Sequence, residues 1–485
     1  MRQLTAADAQ FIAAEDGRTH GHYSGVAIYD PSTAPGGDVT IERLRELVGA
    51  RLHLVPPFRW RLAEVPLGLD LPYWAEAGEI DLTHHVRERS LPAPGDARAL
   101  AAVVGEVLSE PLDRSRPLWE LNLVRGLPGG RVAIVPKVHH AASDGVGAAE
   151  LFSLLHDPTP EVREVPGAAP LESDAPTAAG MLARGVLGVA RHPARLARSA
   201  PRALPHLDQV PFLRSVPGTS PAAGLARRVG RALPGGDGAA LEAPRVRAPR
   251  TRMSGRITAG RRVAIASTSL DEVKAIKNHF GVTVNDVVMA ILAGALRSWL
   301  DQLGDLPAAP LVAAVPLSVR TPDERGAYGN RIAMMLTPMP TDAADPVDRL
   351  QVTRDAMNAV KARHQTVPAT ILQDSNTFIP PILLARAARA SAFYAATLSR
   401  EATANLIMSN VPGPREPMYL AGARWEALYP ASAIFHGLGL NVTAFSYRDA
   451  INWGAVCDPT QVPDVWPLMD AISSAQAELL RRTLP

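Results

Sequence analysis

The sequence predicts a mixed α/β protein of two similar units joined by a basic crossover. Two observations carry that reading. Strand-like and helix-like apolar patterns alternate along residues 20–156 and resume after about residue 258, with a stretch of different composition between them. The 485 residues also exceed what one ordinary core fills, while 47% apolar and 20% charged residues give a globular balance.

In the first unit, Tyr23–Tyr29 reads as a strand and Val39–Leu52 places apolar residues at helical spacing. Trp119–Val124 and Arg131–His139 read as strands around a Leu-Pro-Gly-Gly turn at 127–130, and a helix is expected from Gly147 to Leu155. In the second unit, Arg262–Leu270, Leu311–Leu317, Ile332–Pro338, Ala404–Ser409, Gly439–Tyr447 and Ala450–Val456 read as strands. Asp271–Phe280, Asn285–Leu300, Pro346–Arg363 and Val465–Arg482 read as helices, the second of them apolar enough to be buried. The division is therefore 1–160, a crossover at 161–257, and 258–485.

From Pro176 to Arg256 there are 14 arginines, no lysine and three acids (Asp208, Asp237, Glu242), a net of +11 that leaves about −9 for the rest. Ten prolines in this stretch predict short helical pieces. In Gly180–Leu204 apolar residues and arginines fall on opposite faces of such pieces. Two readings stand open: a solvated crossover, or a basic surface attracted to anionic lipid headgroups or to the phosphates of a cofactor.

Composition excludes several function classes. The formal net charge of +2 gives no ground for a nucleic-acid binder, and the crossover nearly lacks the aromatics that stack on bases. Only Lys137, Lys274, Lys277 and Lys361 are lysines, so 46 of the 50 basic residues are arginines, which fits GC-rich coding. The single cysteine, Cys457, excludes an intrachain disulfide and a multi-cysteine metal site, and lies in no nucleophile motif. The N-terminal MRQLTAADAQF lacks the apolar core of a signal peptide, and the longest apolar run, Val287–Leu296, is about half a membrane span. A cytoplasmic protein with no transmembrane helix is expected.

The sharpest chemical feature is Val138–Gly147, VHHAASDGVG. An apolar strand delivers His139-His140 into a loop, where a neutral imidazole of ordinary pKa about 6.5 can accept a proton. Strand alternation sends the two rings to opposite sides, one free for catalysis and the other structural. The same divergence argues against a metal held by His139, His140 and Asp144. Asp144 either fixes the loop through an arginine or holds the imidazole tautomer, and Gly145 suits a tight turn. His84-His85, in a strand-like run with no following Asp-Gly, reads as structural.

His139-His140-Ala-Ala-Ser-Asp144-Gly145 resembles the His-His-x-x-x-Asp-Gly signature of CoA-dependent acyltransferases, which include chloramphenicol acetyltransferase, the plant BAHD enzymes and nonribosomal condensation domains. The remaining motifs resemble the bacterial wax ester synthase/diacylglycerol acyltransferase family: LTAADAQF at 4–11, DRSRPLWELNLVRGL at 113–127, VTVNDVVMAILAGALRSWL at 282–300, PLSVR at 316–320, GNRIAMMLTPMP at 329–340, SNVPGP at 409–414 and GLNVTAFSY at 439–447. They run through both units in order, leaving mainly the crossover unmatched.

The resemblance implies two chloramphenicol-acetyltransferase-like domains with an active-site tunnel between them. It implies transfer of a long acyl chain from acyl-CoA, a co-substrate and not a resident cofactor, to a diacylglycerol or long-chain alcohol. His140 would be the general base, with His139 supportive and Asp144 and Gly145 completing the loop. Asn285-Asp286 follows Thr283 and is explained equally by helix capping and by a place at the site. Pro117, Leu118 and Trp119 either line the acyl pocket or pack in the core. Ser409, Asn410 and Gly413 resemble a loop shaping the interface. Such substrates imply peripheral contact with the inner membrane or lipid droplets.

Overall fold

The computed structural model describes residues 1–143, 155–167, 176–203, 221, 224–226, 228, 247–318, 332–366 and 380–484. A small antiparallel sheet joins β1 (Arg2–Gln3), β4 (Tyr73–Glu76) and β3 (Trp60–Ala63) in that order. Between β1 and the next strand runs helix α1 (Ala6–Ala14), started by a capping box in which Thr5 and Asp8 satisfy each other's backbone N–H groups.

The first large sheet contains β2 (His22–Asp30), β5 (Val86–Ser90), β6 (Trp119–Arg125) and β7 (Val132–His139). β6 and β7 form the expected hairpin, closed by a turn in which Gly129 and Gly130 take the left-handed conformation that glycine adopts without strain. Helices α2 (Ile41–Arg51) and α4 (Ala97–Ser109) cover it. α3 (Leu82–His85) holds the pair His84-His85 in a helical turn, not in the strand-like run expected from sequence. Asp81 caps that turn by accepting from the Thr83 and His84 amides. His85 is buried and structural, its Nδ1 bonded to the Trp119 carbonyl at 2.8 Å and its ring stacked on the indole.

The crossover departs from expectation. Its longest described element is one 26-residue helix, α5 (Ala178–Ala203), which runs through Pro193 despite the amide lost there. Residues 247–257 belong to the second unit: Ala248 pairs with Ala402, and Arg250 donates to the carbonyls of Ala395, Ala396 and Ser399.

The second large sheet contains β8 (Arg262–Ser269), β9 (Leu311–Ser318), β10 (Ile332–Met339) and β11 (Leu406–Pro412). Between them come α6 (Leu270–Phe280), α7 (Val284–Gln302), α8 (Pro346–Thr366) and α9 (Pro381–Phe393). Ser409 therefore stands in a strand, as its apolar pattern predicts, and the strand runs on through Asn410, where the family motif suggested a loop. α7 is buried along Asp286–Leu296 and forms the centre of this unit's core, as its unbroken apolar run predicts.

The chain then returns to the first sheet. β12 (Tyr419–Leu420) and β13 (Ala423–Ala431) extend it, with β13 antiparallel to β2, giving the order β12-β13-β2-β7-β6-β5. Residues 419–431, placed by sequence in the unit 258–485, are thus built into the sheet that carries His139. β14 (Leu440–Tyr447) and β15 (Ala450–Cys457) complete the second sheet in the order β10-β9-β11-β14-β15-β8, and α10 (Trp466–Arg481) packs on it. β13 lies against β14 and β15, so the two sheets meet along the returning strand.

Candidate active site

All eight residues of β7 are buried, and its last, His139, pairs in register with His22 of β2. The two histidine amides are held from opposite flanks. His139 N–H donates to the Leu118 carbonyl at 3.0 Å, and His140 N–H to the Gly21 carbonyl at 2.7 Å. The chain then turns sharply, with Ala142 N–H on the His139 carbonyl at 2.9 Å.

The rings diverge, as strand parity requires. His139 Nδ1 accepts from the Ala141 amide at 3.0 Å, which puts the ring proton on Nε2, 3.2 Å from Glu15 Oε1. Glu15 also accepts from Gly21 N–H at 2.7 Å and from Arg114 at 2.6 Å. Burial alone would raise the Glu15 carboxyl, but the hydrogen bond and charge of His139, the Gly21 amide and Arg114 outweigh it and hold it well below the carboxylate range. Gly21 sits so close that a Cβ there would lie 2.6 Å from His139 Nε2.

His140 is half-buried between Phe11 of α1, stacked at 4.8 Å, and Tyr23 of β2, tilted at 4.8 Å. Its Nε2 is 3.5 Å from Ser432 Oγ, just beyond β13, so the ring faces a residue supplied by the returning strand. Burial, and then the charge of His139, push the His140 pKa down to about 3. The ring is neutral at pH 7, the state that accepts a proton. Cys457 is buried and its thiol is pushed up by that burial, which makes it inert as a nucleophile.

The other expected residues are distributed as follows. Asp144 and Gly145 lie outside the described residues, as does most of the helix expected from Gly147 to Leu155. Asp286 closes a capping box with Thr283, whose amide and hydroxyl donate to it at 2.9 and 2.7 Å. Asn285 accepts from Asn410 Nδ2 at 3.2 Å, which joins α7 to β11. Pro117, Leu118 and Trp119 are all buried. Trp119 stacks on Phe58 and His85 and donates to the Phe58 carbonyl, and Leu118 packs with Ile12, Ala13 and Ala142. Among the described residues no three His, Cys, Asp or Glu side chains are grouped as a metal ion requires.

Residues 4–288 match the family model described as the wax ester synthase/diacylglycerol acyltransferase catalytic domain, and residues 328–479 match the WS/DGAT C-terminal domain. The chain belongs to the wax ester synthase/diacylglycerol acyltransferase family. It is 35% identical over 483 residues to a Mycobacterium tuberculosis (strain H37Rv) protein named as a candidate diacylglycerol O-acyltransferase, covering 99% of this chain and 97% of that one. It resembles the structure of a wax ester synthase/diacylglycerol acyltransferase from Marinobacter aquaeolei VT8 with a TM-score of 0.69 at 27% identity, each chain covered completely. A condensation domain of the calcium-dependent antibiotic synthetase shares the fold, with a TM-score of 0.56 at 17% identity over 100% of this chain and 96% of that one. The protein is therefore an acyltransferase of this family, built on two sheet-rich α/β units.

Within that WS/DGAT framework, sequence reasoning missed Phe11, Glu15, Tyr23, Arg114 and Ser432. The Thr5-x-x-Asp8 capping box was the one local signal for α1, the helix that brings Phe11 and Glu15 to the site. Glu15 acts on His140 through one residue, Gly21, whose N–H donates to Glu15 while its carbonyl accepts from His140 N–H. Glu15→Gln is expected to lower kcat about 10- to 100-fold through this misplacement while leaving KM for acyl-CoA unchanged. A kcat within about twofold of wild type would remove Glu15 from the positioning network.

Several histidines are held neutral by burial: His140 to about 3, His85 to about 4, with His20 and His22 lowered as well. The unfolded chain takes up these protons near pH 6.5, whereas His140 and His85 in the folded chain take them up only near 3 and 4, so stability falls as pH drops through that window. Glu15 and Asp16, with lowered carboxyls, act in the same direction further into acid. Tm should climb from pH 4 to about 6.5 and then level off. A Tm that peaks near pH 5 would contradict these assignments.

Proposed function

We propose that the protein transfers a long fatty acyl chain from acyl-CoA to the free hydroxyl of a diacylglycerol, making triacylglycerol, with His140 as general base. The observation that carries this reading is the neutral His140 ring at the end of β7, facing Ser432 from the returning strand. The imidazole accepts the hydroxyl proton as the acceptor oxygen attacks the thioester carbonyl. Collapse of the tetrahedral intermediate breaks the C–S bond, and the imidazolium returns the proton to the departing CoA thiolate. A ring this reluctant to hold charge becomes a stronger base when the oxyanion forms beside it, because opposite charge favours the protonated state. His139 supports the turn, and Asp144 and Gly145 complete the loop. Asn285, its Oδ1 occupied by Asn410, keeps its amide N–H groups as donors for the oxyanion.

Supporting the acceptor assignment, the mycobacterial relative is named for diacylglycerol. The Marinobacter protein is named for both wax ester synthesis and diacylglycerol acylation, which supports a second reading in which long-chain alcohols are the main acceptor and wax esters the product. Because these acceptors are lipids, the protein would work in peripheral contact with the inner membrane or with lipid droplets. No single described helix is long and apolar enough to cross a membrane.

The test is a competition: purified protein with palmitoyl-CoA and equimolar diolein and hexadecanol. Triacylglycerol as the main product supports the diacylglycerol reading, and wax ester as the main product overturns it in favour of the second. No CoA release by folded protein with either acceptor overturns both and leaves a lipid-surface protein without this chemistry.

A further inference from the structure

We propose that the turn Pro66–Gly68, helix α5 and the first turn of α9 form one docking surface for an anionic phospholipid membrane. This rests on the lipid-acceptor reading above. Both helices pack on that turn.

Leu67 marks the centre of the surface. It is 81% exposed and its φ is 59°, a left-handed conformation that residues with side chains rarely adopt and where glycine or asparagine is the usual choice. A leucine held there and turned to solvent finds no use inside the protein, and its outward apolar side chain calls for an apolar partner.

Helix α5 is built to lie flat beside it. Met181, Gly185 and Gly188 face inward at i, i+4 and i+7. The two glycines let the backbone close in, since a Cβ at Gly185 would lie 2.7 Å from Val65 and one at Gly188 2.2 Å from Asp70. The outward side carries a second apolar stripe, Leu182, Val186 and Val189, with Val186 58% exposed. Arg184 and Arg191 flank it seven residues apart on one face, and both are exposed. On α9, Ile382 and Leu383 are exposed beside Gly68, and Arg386 and Arg389 follow. Neither helix contains an acidic residue. Two stripes of apolar residues edged only by arginine match a membrane whose headgroups are negative, and exclude a cationic partner.

The surface connects to the site. The inner face of α9, through Leu384 and Ala388, packs with Ile12 and Ala13 of α1 and with Ala141 and Ala142 after His140. The helix that would touch lipid is thus one layer from the helix whose Phe11 stacks on His140. An acceptor leaving the membrane at this face enters beside the proposed base.

The experiment is flotation of the full chain with vesicles of phosphatidylcholine and phosphatidylglycerol. Leu67→Glu combined with Val186→Glu changes two exposed side chains, so folding is not threatened. Val352→Glu, an exposed apolar site on α8, is the control. The double variant should partition at least about tenfold less than wild type. It should lose turnover of diolein held in vesicles and keep turnover of a short-chain alcohol in solution, while Val352→Glu behaves as wild type. Wild-type partitioning should also fall when phosphatidylglycerol is omitted. Undiminished flotation of the double variant, or equal binding to vesicles lacking phosphatidylglycerol, overturns the proposal. So does a wild-type dimer that the double variant makes monomeric with flotation unchanged, because the face would then serve a second copy. Wild type that floats but forms no ester from any acceptor would instead break the functional reading and leave the surface standing.

Discussion

Replacing His140 by alanine is expected to lower kcat by about 10²- to 10⁴-fold, the span that a positioned general base supplies. No other described group can take over. His139 is turned away, its Nδ1 accepting from the Ala141 amide and its Nε2 on Glu15. Cys457 is buried with a raised thiol, and the hydroxyl nearest the ring, Ser432 Oγ at 3.5 Å, carries no base of its own. The loss should fall on kcat with little change in KM, because the ring meets the reacting proton and not the acyl chain. Thermal melting of the variant separates chemistry from folding. A loss below tenfold in a protein that melts like wild type would remove His140 from the role.

Gly454→Ala should be the most damaging single methyl in the fold. Gly454 lies in β15 of the second sheet and Pro430 in β13 of the first, and a Cβ at Gly454 would stand 1.7 Å from the Pro430 carbonyl oxygen. Both partners are backbone within strands, so neither can rotate away as a flexible side chain would. The clash would drive the sheets apart along the returning strand, at a cost of about 3 kcal/mol or more. For a unit of this size, that corresponds to a Tm lower by at least about 6 °C in calorimetry. Activity should fall with it, because Ser432 stands two residues beyond Pro430. A Tm within about 2 °C of wild type would contradict the close approach of the sheets.

Local signals carried much of the fold. β7, β14 and β15 were legible from apolar alternation, and α7 from an unbroken apolar run opened by Thr283. What escaped depends on distant partners. ARWEALYPA at 423–431 shows no clean alternation, and its place beside Asp30–Ser24 comes from pairing across some four hundred residues. Nothing in a local window encodes that return, so a division drawn along the sequence keeps residues 423–431 with 258–485 although they pair with β2. The prolines of the crossover suggested short helices, whereas α5 absorbs Pro193 within 26 residues. His84-His85 read as strand because its helical turn is only four residues long.

The site divides the same way. His139 and His140 stood out because strand, paired histidines and Asp-Gly are contiguous in sequence. Phe11 on α1 and Glu15 at its C-terminal cap, Arg114 before β6 and Ser432 after β13 come from three separate segments, and only the fold assembles them around the rings. Trp119, conspicuous in the Pro117-Leu118-Trp119 motif, has its ring between Phe58 and His85, contacts that a local window does not show.

The most direct test of the account is the stoichiometry of one reaction. Purified protein, palmitoyl-CoA and diolein are mixed, and free CoA and triacylglycerol are measured over the same interval, with His140→Ala in parallel. The account requires one CoA released per triacylglycerol formed by wild type, and neither product above background from the folded variant. CoA release without triacylglycerol, or equal yields from wild type and His140→Ala, would contradict acyl transfer by His140.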